Sequence, residues 1–182
     1  MSDETESITL GGGCFWCVEA TFDRVRGIED LVSGYAGGDT ADPTYEAVCS
    51  GTTGHAEVVQ VTYDPNVVSL EEVLEVFFAT HDPTTKDRQG PDVGSQYRSI
   101  VLYEDEAQRE RVEAFVADAG DDYDDPIVTE VEPLERFWRA EEYHQDYYAK
   151  NPNQPYCMAQ IPPKLEKLEA KFADRLVRAE GQ

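Results

Sequence analysis

Strand-like and helix-like segments follow one another along this chain in an order that few folds can accommodate. The predicted strands are residues 8–10, 28–35, 57–63 and 100–103, and the predicted helices are residues 14–26, 69–79 and 106–119. Up to the fourth strand the order is strand, helix, strand, strand, helix, strand, which is the split βαβ arrangement. We therefore expect an α+β fold, a two-layer plait with a ferredoxin-like βαββαβ core and a C-terminal extension.

Local patterns set the limits of these segments. The first helix is marked by apolar residues at helical spacing, namely Phe15, Val18, Phe22 and Val25. Apolar positions 59, 61 and 63 alternate along the third strand and should share one side of it. Ser69 and Glu72 have the spacing of a capping box, so the second helix should begin there.

The rest of the chain is predicted to extend this core without a second domain. At 182 residues the chain fits one domain, residues 1–182, with residues 1–6 as a flexible acidic leader. A strand is expected at residues 127–131 and a Tyr-rich helix at residues 140–150. Residues 151–157, NPNQPYC, should be irregular, and Pro162 and Pro163 should open the last helix. Segment 151–182 thus carries Cys157 and a final helix.

The balance of charge excludes several classes of partner. With 38 Asp and Glu against 15 Lys and Arg, the net charge is −23, which repels nucleic-acid phosphates and anionic membranes. The first ten residues carry acids where a signal peptide needs basic and apolar residues, and no apolar run is long enough to span a membrane. We therefore expect a cytoplasmic protein. Its acid-rich, lysine-poor composition resembles that of proteins adapted to concentrated salt.

The stretch GGGCFWC places a cysteine at the start of the first predicted helix. Gly11, Gly12 and Gly13 allow close approach of the backbone to another group. Unpaired N–H groups at a helix start favour a thiolate, so we expect the pKa of Cys14 to be lowered and the residue to be a nucleophile. The alternative is a buried cysteine that only packs.

The residues that follow in this stretch strengthen the hypothesis of thiol chemistry. Phe15 and Trp16 cannot both face one core, so one of them is expected to line an apolar pocket. Cys17 completes a C-x-x-C pair, which favours redox chemistry. Zinc binding is the alternative, but Cys49 and Cys157 form no second pair, and we predict no metal site.

Polar residues further along the chain are weak candidates when each is taken alone. Glu57 lies at the start of the third strand, where a carboxyl in an aromatic pocket would stay protonated and act as an acid. An ordinary exposed strand residue is the alternative. Tyr45, Asp92 and Tyr97 lie in predicted loops, where a tyrosine is often merely packed.

The joint order of the motifs is more informative than any single residue. The chain contains, in sequence, GCFWC, GYAGG, PTYEAVCSGTTGHAEVVQVTYDP, FFATHDPTT, RQGPDVGSQYRS, AEEYHQDYY and NPNQPYC. Over residues 13–157 it resembles the A-type peptide methionine sulfoxide reductases, whose α+β plait agrees with the order of elements expected above. A general dithiol oxidoreductase and a zinc-binding interaction module are the alternative functions.

The resemblance implies a role for each candidate residue. Cys14 corresponds to the catalytic cysteine, and Glu57 corresponds to the acid that protonates the sulfoxide oxygen. The implied substrate-binding residues are Phe15 and Trp16 at the methyl group, Tyr45 and Tyr97 at the sulfoxide oxygen, and Asp92 at the substrate amide.

The resemblance also implies the reaction. Cys14 would attack the sulfur of methionine-S-sulfoxide, free or in oxidised proteins and peptides, releasing methionine and leaving a sulfenic acid. A second thiol would convert the sulfenic acid to a disulfide, which thioredoxin would reduce. No bound cofactor is implied, because thioredoxin supplies the electrons, and a monomer is expected.

The resemblance leaves the resolving cysteine open. Many members of the family have Gly at the position of Cys17 and use cysteines near the C-terminus. A Cys14–Cys17 disulfide would strain a helical turn, so we favour Cys157, in a segment that looks flexible. A relay through both thiols is the alternative. Cys49 is expected to be a packed bystander, with a role as a third redox partner as its alternative.

Overall fold

A computed structural model describes residues 5–177 of the chain. Its strands are β1 Glu6–Gly11, β2 Ile28–Ala36, β3 Ala56–Tyr63, β4 Arg88–Gln89, β5 Asp92–Val93, β6 Ile100–Tyr103, β7 Glu130–Pro133 and β8 Phe137–Arg139. Its helices are α1 Phe15–Phe22, α2 Tyr45–Cys49, α3 Leu70–Ala79, α4 Glu106–Ala119, α5 Tyr147–Lys150 and α6 Pro155–Phe172. The chain is therefore a mixed α/β protein, as expected.

Six strands form one sheet in the order β7–β6–β1–β3–β2–β8, and β4 pairs with β5 in a separate ribbon. Neighbours in the large sheet are antiparallel, except for the parallel pair β6 and β7. Since β1 and β3 are antiparallel, the end of β1 lies beside the start of β3. This pairing brings the loop that follows Gly11 next to Glu57.

Four helices pack on one face of the sheet and form the main core. Its strand residues include Ile8, Leu10, Val59, Val61 and Tyr63, and its helical residues include Phe15, Phe22, Phe77, Val112 and Leu168. The predicted alternation of residues 59, 61 and 63 is thus confirmed. A smaller cluster around Val58, Ile100 and Leu102 covers the other face. None of the helices within residues 5–177 is both long and apolar enough to cross a membrane.

The elements of the first 119 residues lie close to their predicted positions. The capping box is confirmed, because Ser69 Oγ accepts from the Glu72 N–H at 3.1 Å and a Glu72 carboxylate oxygen accepts from the Ser69 N–H at 2.9 Å. The first helix ends at Phe22, four residues earlier than expected. Part of the predicted leader belongs to β1, which begins at Glu6, and residues 1–4 lie outside the described residues.

The predictions for the C-terminal third were wrong in three places. The strand expected at residues 127–131 lies at Glu130–Pro133. The expected helix 140–150 is only a 3₁₀ turn, Glu142–His144, followed by α5. Asp146 separates the two with a left-handed φ of 58°, which a helix does not accommodate. The last helix starts at Pro155 rather than at Pro162.

The early start of α6 has a local cause. The Gln154 side chain accepts a hydrogen bond from the Cys157 N–H at 2.9 Å, which caps the helix. Pro162 and Pro163 remove two N–H donors, but the carbonyls left free belong to Met158 and Ala159, an exposed turn that water can reach. Residues 151–154 are therefore irregular, as expected, whereas Cys157 lies in a regular, partly buried helix rather than in a flexible segment.

Candidate active site

The glycine loop between β1 and α1 is packed tightly against side chains from two other segments. A Cβ on Gly12 would lie 2.8 Å from the His81 ring, and a Cβ on Gly13 would lie 2.7 Å from Gln89 Cγ. Gly13 also has a φ of +97°, which favours glycine. The close approach expected from the glycines is thus made to protein side chains. The loop ends by placing Cys14 at the N-cap of α1.

Glu57 reaches the start of α1 from the neighbouring strand. The Phe15 backbone N–H, an unpaired donor of the helix start, donates to Glu57 Oε1 at 3.1 Å. Oε2 of Glu57 is buried and has no hydrogen-bond partner among residues 5–177. Burial raises the pKa of Glu57 to about 8, although the hydrogen bond from the Phe15 N–H acts in the opposite direction and lowers the pKa. The carboxyl is therefore protonated at neutral pH, with one oxygen free to donate.

The Cys14 thiol is buried, with 7 % of the residue exposed. Burial raises the pKa of Cys14 well above its ordinary value, and the neighbouring Cys17 and Glu57 raise it further. The prediction that the helix start lowers the pKa of Cys14 was therefore wrong. The loss of solvation outweighs the N–H groups of α1, a helix of only eight residues.

Cys17 shows the opposite effect. The pKa of Cys17 is lowered, chiefly by a hydrogen bond with the Cys14 thiol and also by the positive charge of Lys164 and by Tyr156. Tyr156 Oη lies 3.9 Å from Cys17 Sγ. Lys164 Nζ donates to the Thr80 carbonyl at 2.7 Å, which holds the cation near the site. Cys17 is thus the more acidic thiol of the pair.

Phe15 and Trp16 occupy two different environments, as their adjacency predicted. Phe15 is fully buried, and its ring stacks with that of Tyr45 at a centroid distance of 6.4 Å. Trp16 is half-buried and lies flat on Tyr147, with the ring centroids 3.7 Å apart. Trp16 Nε1 donates to His144 Nδ1 at 3.0 Å, which fixes the plane of the indole. The indole is therefore a rigid apolar surface next to the thiol.

The three remaining predicted residues lie near the Glu57 carboxyl. Tyr45 opens α2, and Tyr97 ends the 3₁₀ turn Ser95–Tyr97. Burial, together with the charge of Glu57, raises the pKa of both tyrosines, so their hydroxyls stay protonated and can donate. Asp92 in β5 accepts a hydrogen bond from Tyr156 Oη, and burial raises its pKa. The structure thus brings all the predicted substrate-binding residues to one region.

The other two cysteines differ in burial. Cys157 is fully buried in the first turn of α6, where burial and then the charge of Cys17 raise its pKa to about 11. Cys49 lies near the hydroxyls of Tyr45 and Tyr97, but it is exposed at the end of α2. The expectation of a packed Cys49 was wrong, because this short helix leaves its last residue at the surface.

Four residues of the site were missed from the sequence. His144 and Tyr147 hold the indole of Trp16, while Tyr156 and Lys164 approach the second thiol of the C-x-x-C pair. All four follow residue 140, where the predicted helices were misplaced, so no spacing related them to the first helix. The available signal was the pair of motifs AEEYHQDYY and NPNQPYC, which contain His144, Tyr147 and Tyr156, although only Cys157 was given a role there; Lys164 lies in neither motif.

An open groove of about 1060 Å³ lies beside this region, between α3, α4 and α6. His81, Gln89 and Lys164 line it, whereas none of the predicted catalytic and substrate-binding residues does. The groove is thus separated from Cys14 by the side chains that pack on the glycine loop. Within residues 5–177, no three His, Cys, Asp or Glu side chains are arranged to hold a metal ion.

These residues can carry out thiol chemistry that is assisted by proton transfer. The Glu57 O–H can protonate an oxygen atom presented to Cys14, and Cys17 can displace a hydroxyl group from an oxidised Cys14. The class of protein that this site defines is therefore a cysteine-dependent oxidoreductase.

Comparison with known proteins gives the family. The chain belongs to the peptide methionine sulfoxide reductase family, whose model matches residues 6–176. It is 60% identical over 174 residues to the peptide methionine sulfoxide reductase MsrA of Natronomonas pharaonis, a match that covers 94% of this chain and 98% of the relative. The resemblance seen in the sequence motifs is thus confirmed.

Two solved structures are similar to this chain. Methionine sulfoxide reductase A of Corynebacterium diphtheriae is 36% identical with a TM-score of 0.81, covering 84% of this chain and 78% of that chain. Mxr1 from Saccharomyces cerevisiae in complex with Trx2 is 29% identical with a TM-score of 0.57, covering 81% of this chain and 87% of that chain.

Proposed function

We propose that this chain reduces methionine-S-sulfoxide, free or in oxidised proteins and peptides, to methionine through a sulfenic acid on Cys14. The observation that carries this proposal is the Glu57 carboxyl, which is protonated at neutral pH and has a buried oxygen without a partner in the described part of the chain. A buried donor needs an acceptor, and a sulfoxide oxygen next to Cys14 would provide one. Membership of the reductase family supports the same reaction.

The substrate would bind with its methyl group against Trp16, whose plane is fixed, and near the buried Phe15. Its oxygen would lie between the hydroxyls of Tyr45 and Tyr97, which remain protonated donors. Asp92, half-buried at the edge of the site, would accept the N–H of the substrate amide. The sulfoxide sulfur would then face the Cys14 thiol.

In the first step the Cys14 sulfur would attack the sulfoxide sulfur while Glu57 protonates the sulfoxide oxygen. The oxygen moves as a hydroxyl group to the Cys14 sulfur, the sulfur–oxygen bond of the substrate breaks, and methionine leaves. The thiol proton of Cys14 passes to the Glu57 carboxylate, so the step consumes no net proton. The substrate sulfur gains two electrons, and the Cys14 sulfur loses them.

Cys17 would resolve the sulfenic acid first, followed by Cys157. Cys17 is the more acidic thiol and interacts directly with Cys14, whereas Cys157 is buried near Cys17. Cys14 is an N-cap with an extended ψ of 131°, so a bond to Cys17 does not have to span a regular helical turn. Cys157 would then attack Cys17 and release the Cys14 thiolate. In this order, Cys157→Ser still forms the first disulfide and Cys17→Ser does not.

Thioredoxin would supply the electrons, and no bound cofactor is needed. The similarity to Mxr1 in complex with Trx2 supports a partner of this kind. All four cysteines are free thiols, which suits a reducing compartment such as the cytoplasm. A monomer is the proposed active form.

The finer architecture would be a ferredoxin-like plait within one domain. In the sheet, β3 lies between β1 and β2, and β1 lies between β3 and β6. The α1 connection therefore joins β1 to β2 and the α3 connection joins β3 to β6, in each case two strands that a third strand separates, as in split βαβ units. The remaining strands and α6 would form an extension that carries Cys157.

A single-turnover reaction tests the proposed function. Pre-reduced protein is mixed with a peptide that contains either the S or the R epimer of methionine sulfoxide, and methionine is measured. We expect methionine from the S epimer alone, and none with a Cys14→Ser variant that retains the wild-type circular dichroism spectrum. Equal reaction of both epimers, or reaction without Cys14, would refute the proposal. Disulfide reduction without methionine formation would indicate a general dithiol oxidoreductase instead.

A further inference from the structure

Tyr156 lies between the second thiol of the site and a carboxylate. Its hydroxyl is 3.9 Å from Cys17 Sγ and donates a hydrogen bond to Asp92 Oδ2. Its ring packs edge-on against Trp16, with centroids 6.1 Å apart and an angle of 76° between the planes. The hydroxyl thus connects groups from α1, α6 and β5.

Disulfide formation requires Cys17 to lose its proton in a closed environment. Only 4 % of Cys17 is exposed, so bulk base has little access to the thiol. The pKa of Cys17 is lowered chiefly by the Cys14 thiol, and that thiol is consumed when Cys14 becomes a sulfenic acid. The Tyr156 hydroxyl remains within hydrogen-bonding distance of the Cys17 sulfur. It is therefore the group placed to take the proton.

We propose that Tyr156 passes the Cys17 proton to Asp92 while the disulfide forms. This inference rests on the proposed reductase function and on Cys17 as the first resolving thiol. Asp92 is half-buried, whereas Cys17 is buried, so the carboxylate can exchange the proton with water. The path leads from a closed thiol to the protein surface through one hydroxyl group.

The step balances in atoms and electrons. The Cys17 proton moves to the Tyr156 oxygen as the Tyr156 proton moves to the Asp92 carboxylate. The Cys17 thiolate attacks the Cys14 sulfur, the sulfur–sulfur bond forms and the Cys14 sulfur–oxygen bond breaks. The leaving hydroxide takes a proton from Glu57 and departs as water. Cys17 is oxidised and Cys14 is reduced, Asp92 releases its proton to solvent, and Glu57 regains one.

Several charged and titratable groups face Cys17 and contribute to its pH dependence. They are Cys14 before α1, Glu57 of β3, Asp92 of β5, and Tyr156, Cys157 and Lys164 of α6. Lys164 favours the thiolate, whereas the negative charge of Asp92 opposes it. Protonation of Asp92 through Tyr156 removes that opposing charge as the thiolate forms. The proposed transfer therefore also stabilises its own product.

Tyr156→Phe tests the proposal, with Tyr148→Phe as the matched control. Tyr148 is a half-buried tyrosine whose hydroxyl makes no hydrogen bond to the residues described. In single turnover with an S-epimer peptide, methionine is measured first, and free thiols are then counted after acid quenching and alkylation. We expect Tyr156→Phe to slow disulfide formation at least about tenfold at neutral pH, with recovery as the pH rises, because a larger fraction of Cys17 is then already a thiolate and needs no transfer path. Tyr148→Phe should match the wild type.

A second variant shows whether the two groups share one path. Asp92→Asn keeps the shape of the side chain but cannot take a proton, so it should slow disulfide formation too. The double variant should be no slower than the slower single variant, because both changes block the same transfer. Independent effects that multiply would overturn the proposal.

Two further outcomes separate this inference from the proposed function. If the wild type yields no methionine, both fail. If methionine forms but the Tyr156→Phe variant forms the disulfide at the wild-type rate, only the proposed role of Tyr156 fails. The same conclusion follows if the variant forms the disulfide equally slowly at every pH. The second result would show a merely structural contribution to the position of Cys17.

Discussion

Two buried carboxyl groups show that hydrogen-bond partners, and not burial alone, decide what such a residue does. Both Glu19 oxygens accept from the Asp146 N–H at 3.0 Å, and burial raises the pKa of Glu19 to about 7. Glu57 has a raised pKa as well, but one of its oxygens is left without a partner beside Cys14. The free oxygen makes Glu57 a proton donor, whereas Glu19, whose oxygens both accept a hydrogen bond, is a structural link between α1 and the start of α5.

We predict that Glu57→Gln slows methionine formation by about 10²–10⁴-fold at neutral pH. Glutamine can still accept from the Phe15 N–H but cannot deliver a proton. In the wild type, the single-turnover rate should fall as the pH rises through about 8, where Glu57 loses its proton. Glu19→Gln is the control and should keep the wild-type profile. A Glu57→Gln variant with the same rate and pH profile as the wild type would exclude Glu57 as the acid.

The raised pKa of Glu57 also predicts a pH dependence of stability. The folded protein holds this proton up to a pH of about 8, whereas the unfolded chain releases it near pH ~4.3. Between these values the unfolded state binds fewer protons, so the free energy of unfolding decreases as the pH rises, by up to ~1.4 kcal/mol per unit. The Glu57→Gln variant has no proton that titrates at this position, so its free energy of unfolding does not decrease for this reason. Its stability relative to the wild type, measured by denaturant unfolding, should increase over this range and stay constant above it.

At the scale of elements, the first turn of α6 positions two groups of the candidate site, Tyr156 and Cys157. Gln154 caps this turn through the Cys157 N–H. We predict that Gln154→Ala lowers the free energy of unfolding by ~1 kcal/mol. It should also speed the alkylation of Cys157, whose thiol is fully buried when the turn is intact. Alkylation followed by mass spectrometry of the Cys157 peptide measures the effect.

Gln160→Ala provides the comparison for this prediction. Gln160 lies in the same helix and has no side-chain hydrogen bond to the residues described. Its replacement should leave both the alkylation rate and the stability close to those of the wild type. Equal alkylation of Cys157 in the two variants would show that the cap does not control this turn.

Elements with a local signal were predictable from the sequence. The Ser69–Glu72 capping box fixes the start of α3 with two short-range hydrogen bonds, and alternation along β3 follows from burial of one side. The start of α6 was missed because two prolines carried more weight than the cap at Gln154. Water can satisfy the carbonyls that those prolines leave free, and that depends on which face of the helix is exposed.

The candidate site likewise combines features that the local sequence predicts with features that only tertiary packing determines. The sequence identifies Cys14 and Glu57 by their motifs, and the antiparallel pairing of β1 and β3 brings them together. It does not reveal that burial raises the pKa of Cys14, because the degree of burial comes from tertiary packing. Nor does it connect Tyr156 with Cys17, which are 139 residues apart. Such contacts depend on how α6 docks against α1.

At the scale of the whole molecule, charge is the dominant feature. The net charge is −23, and three of the five lysines, Lys164, Lys167 and Lys171, line the groove along α6. Aspartates of the facing wall, Asp118, Asp122, Asp124 and Asp125, line the same groove. Most arginines in ion pairs, such as Arg111 with Glu71, are partly exposed, so each pair contributes little. With 38 acids against 15 bases, we expect repulsion among the acids to exceed these attractions.

We predict that molar KCl stabilises the protein relative to dilute buffer. Salt shortens the screening length from about 10 Å at 0.1 M to about 3 Å at 1 M, which weakens the repulsion more than it weakens the few surface pairs. Each kcal/mol gained should raise Tm by roughly 2–4 °C for a chain of this size. Circular dichroism melting curves at several KCl concentrations measure the effect. A Tm that is independent of salt would contradict the prediction.

A charge variant separates screening from the general effect of salt on burial of apolar surface. Asp121, Asp122, Asp124 and Asp125 lie in an exposed turn after α4. Replacing all four with Asn takes the net charge from −23 to −19 and removes a local cluster of like charges. If repulsion is the cause, this variant should melt at a higher temperature than the wild type in dilute buffer, and the two should converge in molar KCl. A parallel rise of both Tm values with salt would instead assign the effect to apolar burial, which screening does not change.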